Sequence, residues 1–161
     1  SEVYKRQEYE GIDSASPAER LGDALEVVGA AGTDVLLGPS NPFLSLAPIL
    51  DIPELQELLR RAARRVVAVS PIIGGQALKG PAGKIMSELG LEVSAAGWAR
   101  WMNEHYPGLV DVWVWDETDQ VAADDLRAEG MDIRTTSTVM SDPGRARAFG
   151  DWLLGVCGSA D

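Results

Sequence analysis

Amphipathic stretches alternate with short apolar runs along this chain. After Ser16-Pro17-Ala18-Glu19, which offers an N-cap serine, a first-turn proline and a capping-box glutamate, Leu21, Leu25 and Val28 fall on one helical face. Gly32 closes that helix. Asp51-Ile52-Pro53-Glu54 repeats the logic ahead of Leu55, Leu58, Leu59 and Ala62. Pro81 and Pro143 open two more helices, the last turning Ala146, Phe149, Leu153 and Val156 inward. Another helix is predicted near 95–106, with Trp98, Trp101, Met102 and His105 on one side. Between these lie Val35-Leu36-Leu37, Val66-Val67-Ala68-Val69 and Val110 through Trp115, with Met131 to Ile133 a weaker candidate. Runs apolar on both faces, alternating with amphipathic helices, predict parallel strands covered by helices on two sides, an α/β layer fold. The Val3–Tyr9 segment mixes polar and apolar positions and fits an edge strand.

Length and charge narrow the class. The chain has 161 residues, enough for one domain that buries roughly 70% of its unfolded surface. Its formal net charge of −11 repels phosphate backbones, so general nucleic-acid binding is a poor fit. The single Cys157 rules out an intrachain disulfide and a cysteine-cluster metal site, and the single His105 a histidine-rich zinc centre. No apolar stretch reaches membrane-span length and no signal peptide opens the chain, so a soluble cytoplasmic protein is expected. The start at Ser1 rather than Met fits a trimmed or partial protein.

Ligands of open parallel sheets bind beyond the carboxyl ends of the strands. Those ends read Gly38-Pro39-Ser40-Asn41-Pro42, Ser70-Pro71-Ile72-Ile73-Gly74-Gly75 and Asp116-Glu117-Thr118-Asp119. Residues 35–50 carry no charge, and residues 66–86 carry no carboxylate but hold Lys79 and Lys84, two of the chain's three lysines. Glycines let backbone amides approach a ligand, Ser40, Asn41 and Ser70 add hydrogen-bonding side chains, and Asn41-Pro42 suits an N-cap that aims N–H groups at an anion. That combination suits a phosphate or diphosphate. Buried strands lack charge anyway, however, and Gly-Pro-Ser-Asn-Pro is good turn chemistry without a ligand. Neither a Walker-type Gly-Lys-Ser nor a GxGxxG element occurs.

The segments GPSNPFLSLAPIL and VVAVSPIIGGQALKGPAGKIMSELG closely resemble the 2-phospho-L-lactate transferase family (CofD, called FbiA in actinobacteria), over about Tyr9 to Leu154. The resemblance implies a Rossmann-like enzyme of coenzyme F-420 biosynthesis. Such enzymes move a phospholactyl or phosphoenolpyruvyl group from a guanylylated donor to the deazaflavin Fo, release GMP and require magnesium. Family members are about twice as long and begin with a glycine-rich strand–turn–helix that residues 1–34 lack. The chain thus resembles a C-terminal portion, a single α/β domain that is partial relative to the full fold and expected to be inactive alone. Ser137 in Thr136-Ser137-Thr138-Val139-Met140 stands where relatives often carry aspartate.

With the resemblance, Lys79 becomes the candidate catalytic cation on the donor diphosphate, and Gly38, Ser40, Asn41, Ser70, Gly74 and Gly75 the candidate substrate contacts. Asp116, Glu117 and Asp119 end a strand, which makes Asp116 and Asp119 candidate magnesium ligands, although acidic loops are common in so acidic a chain and the missing part of the family's length is the stronger source of metal ligands. Lys84, inside a helix, is expected at the surface. Arg60-Arg61 and Arg64-Arg65 suit a helix C-terminus. Trp98, Trp101, Trp113 and Trp115 are expected in core or homodimer packing, with stacking on Fo as the alternative. A non-catalytic regulator of the same fold, binding a phospho-metabolite or nucleotide sugar, is the competing expectation. A related regulator family carries a loop resembling Gly-Pro-Gly-Ser-Leu-Tyr-Thr-Ser, and Ser40-Asn41-Pro42 departs from it.

Overall fold

The computed structural model describes residues 9–30, 32–77 and 80–158. In chain order the elements are α1 (Glu19–Ala30), β1 (Val35–Leu37), α2 (Ala47–Leu50), α3 (Leu55–Ala62), β2 (Val66–Val69), β3 (Ile72–Ile73) and β4 (Gln76–Ala77). There follow α4 (Ala82–Glu88), α5 (Ala95–His105), β5 (Val112–Asp116), α6 (Gln120–Ala128), β6 (Ile133–Thr136) and α7 (Pro143–Gly158). Strands β1, β2, β5 and β6 form one parallel sheet in the order β1-β2-β5-β6, with Leu36 opposite Val67 and Val67 opposite Val112. The α/β class and its Rossmann-like parallel sheet follow the apolar runs.

Alternation along the strands builds two cores. Ala68, Trp113, Trp115 and Ile133 face one side, where α1 to α6 contribute Leu25, Leu50, Leu59, Met86, Trp98 and Leu126. Val67, Val69, Val112 and Val114 face the other, where, among the described residues, α7 contributes Phe149, Leu153 and Val156. The tryptophans pack as expected: Trp98 meets Trp113 edge-on at 5.1 Å between centroids, inside the larger core. His105 is exposed yet stacks on Trp101 at 4.4 Å.

Several local expectations change. Asp51 does not cap α3; it ends α2 and accepts a hydrogen bond from the Tyr106 hydroxyl at 2.8 Å. Glu54, with a left-handed φ of 69°, precedes α3 instead. The Ser70–Gly75 stretch is not an open loop: it runs into an antiparallel hairpin of β3 and β4, with Ile72 opposite Ala77 and Ile73 opposite Gln76. Helix α6 was not anticipated, because only Ala123 and Leu126 mark its buried side. Val3 to Glu8 of the proposed edge strand lie outside the described residues; Tyr9 donates its hydroxyl proton to the Phe43 carbonyl at 2.7 Å.

Candidate functional site

Beyond β1, the chain turns at Asn41 into a single π-helical turn, Pro42–Leu46. The Asn41 Oδ1 accepts hydrogen bonds from the Phe43 and Leu44 N–H groups, each at 2.9 Å. The capping role is therefore as expected, but its consequence is reversed. The N–H groups assigned to an anion are satisfied by the asparagine itself. Its Nδ2 is buried and, among the described residues, finds no hydrogen-bond partner.

Ser70, beyond β2, is 2% exposed and serves its own turn. Its hydroxyl donates to the Ile72 carbonyl at 2.9 Å and accepts from the Ile72 N–H at 3.1 Å. Pro71 and Ile73 stand beside it and, with Pro39 and Asn41, wall a hollow of about 450 Å³. Two of the expected loops thus face the same space. The remaining wall comes from the segment after β6: Thr138, Val139, Met140 and Ser141. None of these lining side chains is charged, so the hollow is free of carboxylates as the sequence implied.

The other candidates fall elsewhere. Gly38 and Ser40 belong to the turn after β1, where the Ser40 N–H donates to the Gly38 carbonyl at 2.7 Å, and neither lines the hollow. Gly74 and Gly75, with φ of 55° and 75°, form the two-residue tip of the β3–β4 hairpin, a conformation that favours glycine. They do not line the hollow either. The Gly74 N–H is taken by the Asp119 carboxylate, at 3.1 and 3.2 Å to its two oxygens. Lys79 lies outside the described residues. Lys84 is an exposed residue of α4, 3.8 Å from Glu88 one turn on.

Asp116 ends β5 and is 4% exposed. One carboxylate oxygen accepts from the N–H and hydroxyl of Thr118, at 3.0 and 2.6 Å. The other accepts from the N–H and hydroxyl of Thr138, at 2.8 and 3.0 Å. Burial pushes its pKa up, but these four bonds outweigh it and hold the carboxyl below the usual aspartate value. At Asp119 burial, helped by the charge of Asp116, pushes the pKa up against the opposing Gly74 N–H.

Four donors occupy the carboxylate oxygens of Asp116, while Asp119 meets the single N–H of Gly74 at the hairpin tip. Among the described residues no group of three histidine, cysteine, aspartate or glutamate side chains is placed to hold a metal. Asp116 instead ties the segment after β6 to the end of β5, so it shapes the hollow from behind.

Sequence reasoning missed Thr138 and the three residues after it, which wall the hollow. The signal was available, because the 138–141 segment also leaves the carboxyl end of a strand of the sheet. Within its Thr-Ser-Thr-Val-Met stretch, Ser137 is exposed and does not line the hollow.

The profile of the family described as "2-phospho-L-lactate transferase CofD" matches residues 3–149. The chain is similar to the 2-phospho-L-lactate transferase of Methanosarcina acetivorans, 39% identical over 148 residues, which cover 91% of this chain and 44% of that protein. The 2-phospho-L-lactate transferase of Methanocaldococcus jannaschii is 36% identical over 152 residues, covering 94% of this chain and 44% of its own length. The phosphoenolpyruvate transferase of Streptomyces griseus is 35% identical over 133 residues, covering 82% and 39%. The chain thus spans less than half the length of these curated relatives. Among the described residues no helix is long and apolar enough to cross a membrane.

Proposed function

We propose, from the premise that the chain belongs to the 2-phospho-L-lactate transferase CofD family, that it is part of an enzyme that transfers a 2-phospholactyl or phosphoenolpyruvyl group. The donor is guanylylated, the acceptor is the deazaflavin Fo, and GMP is the leaving group. A hydroxyl of the Fo ribityl chain attacks the phosphorus nearer the lactyl group, an O–P bond forms, and the P–O bond to GMP breaks. Such a step needs alignment and charge neutralisation more than covalent help from the protein.

The observation that carries this assignment is the family match over residues 3–149. The hollow at the strand ends supports it, because it combines a carboxylate-free wall with turns from three strands of an otherwise acidic chain. Lys79 supplies the positive charge toward the donor diphosphate, and Asn41 and the 138–141 segment place the donor in the hollow. Magnesium belongs to this proposal as held mainly by groups other than Asp116, whose oxygens already accept four hydrogen bonds.

The test uses a family-length protein that contains these residues, given Fo, guanylylated phospholactate or phosphoenolpyruvate, and magnesium. Expected products are GMP and the substituted Fo, and Lys79→Ala lowers turnover by orders of magnitude. Tight donor binding with no product from either donor would establish the regulator instead. Wild-type kinetics in Lys79→Ala would remove that residue from the site.

A further inference from the structure

A second cavity, of about 500 Å³, lies among the π-helical turn, the end of α2, α4 and α5, and shares no lining residue with the hollow. Its volume suits a small molecule. Aromatic rings form one wall: Phe43 and Trp101 stand 4.7 Å apart between centroids, and His105 stacks on Trp101 at 4.4 Å. Leu89, half exposed, and the buried Ile85 add aliphatic surface from α4 and its end.

The charge in this cavity has one sign. Asp51 and Glu104 line it, and among the described residues no lysine or arginine does. Neighbouring carboxylates have cations beside them: Glu88 lies 3.8 Å from Lys84, and Glu92 3.5 Å from Arg100. Asp51 meets only the neutral Tyr106 hydroxyl, and Glu104 forms no ion pair, among the described residues. The Asp51 charge reaches across the space: after burial, it is the second cause that holds the Tyr9 phenol above its ordinary pKa. Carboxylates without cations, set beside ring faces and aliphatic surface, match an aliphatic chain that carries ammonium groups. An anionic ligand is repelled there.

We infer that this cavity is a binding site for an aliphatic polyamine, whose ammonium groups meet Asp51 and Glu104 while its methylenes lie along Phe43, Trp101 and Leu89. The site stands apart from the transfer reaction proposed above and does not depend on it.

Calorimetric titration of spermidine into a family-length protein that contains these residues tests it, at about 0.15 M salt and about pH 8, where an ordinary imidazole is neutral. Saturable one-site binding is expected. Glu104→Gln and Asp51→Asn are each expected to weaken it at least tenfold. Glu129→Gln removes the same charge from an exposed residue outside the cavity and is expected to change it less than twofold. The uncharged 1,8-octanediol, of similar length, is expected not to compete. Glu104 is exposed, so its variant decides the matter even where Asp51→Asn fails to fold. Absence of saturable binding overturns the inference. So does equal weakening in Glu129→Gln, which assigns the attraction to the acidic surface at large. Tenfold tighter binding after Lys5→Ala with Arg6→Ala overturns it too, in favour of the chain's own cations as the occupant.

Discussion

Replacing Asp116 with asparagine tests whether the hollow is held open by one buried carboxylate. The substitution keeps the shape of the side chain and leaves an oxygen for Thr118, but it sets an NH₂ group against the Thr138 N–H, which cannot turn away. Two bonds to a charged acceptor, at 2.8 and 3.0 Å, are lost or inverted at a residue that is 4% exposed. Bonds to charged groups contribute about 1.5–3 kcal/mol each, and the Thr138 hydroxyl recovers part by rotating, so the expected loss is about 3 kcal/mol. For a domain of this size that lowers the melting temperature by about 6–12 °C. The pH dependence identifies the cause. The folded-state pKa of Asp116 lies below its ordinary value, so its contribution is complete above the unfolded aspartate pKa of about 3.9 and fades as pH falls through the folded value. Thermal unfolding of both proteins from pH 7 downward should show a gap that is constant near neutrality and closes below about pH 4. An asparagine variant as stable as the wild type at pH 7, or a gap indifferent to acid, would refute the account. Crystal structures of the two should differ in the 138–141 segment, which Asp116 restrains.

Gly97 lies in the first turn of α5, and an added Cβ would stand 2.1 Å from the Glu92 carbonyl oxygen, which is backbone and has no rotamer to escape by. Gly97→Ala is expected to cost about 3 kcal/mol or more, measured by chemical denaturation, despite alanine's better helix propensity. At Tyr106, burial first and the Asp51 carboxylate second hold the phenol protonated above its ordinary pKa. Ultraviolet titration should show this tyrosine ionising after Tyr9. Because the folded-state pKa is raised, the stabilisation is complete below the unfolded value of about 10 and is lost as pH rises beyond it. Tyr106→Phe, which removes the 2.8 Å bond to Asp51, is expected to cost about 1.5 kcal/mol at neutral pH and less in strong base.

The layered α/β fold was legible because period-two and period-3.6 patterns are local. Val66 to Val69 and Val112 to Trp115 announce strands buried on both faces, and Pro81 and Pro143 mark helix starts wherever the helices finally pack. Asn41-Pro42 likewise announced its cap, since an N-cap needs only residues within one turn. Helix α6 escaped because only two of its side chains reach the core, which leaves too weak a periodicity to read.

The site was legible in composition and not in contacts. Sequence alone determined that two strand-end segments carry no carboxylate, and the hollow they wall is uncharged. Only the tertiary structure decided what each polar group faces. The 22-residue separation between Asp116 and Thr138 joins two crossovers of the sheet, and the 45-residue separation between Gly74 and Asp119 crosses from a hairpin to the end of β5. A carboxylate's partners depend on which loops the sheet order brings side by side, and that order is set by the packing of all four strands together.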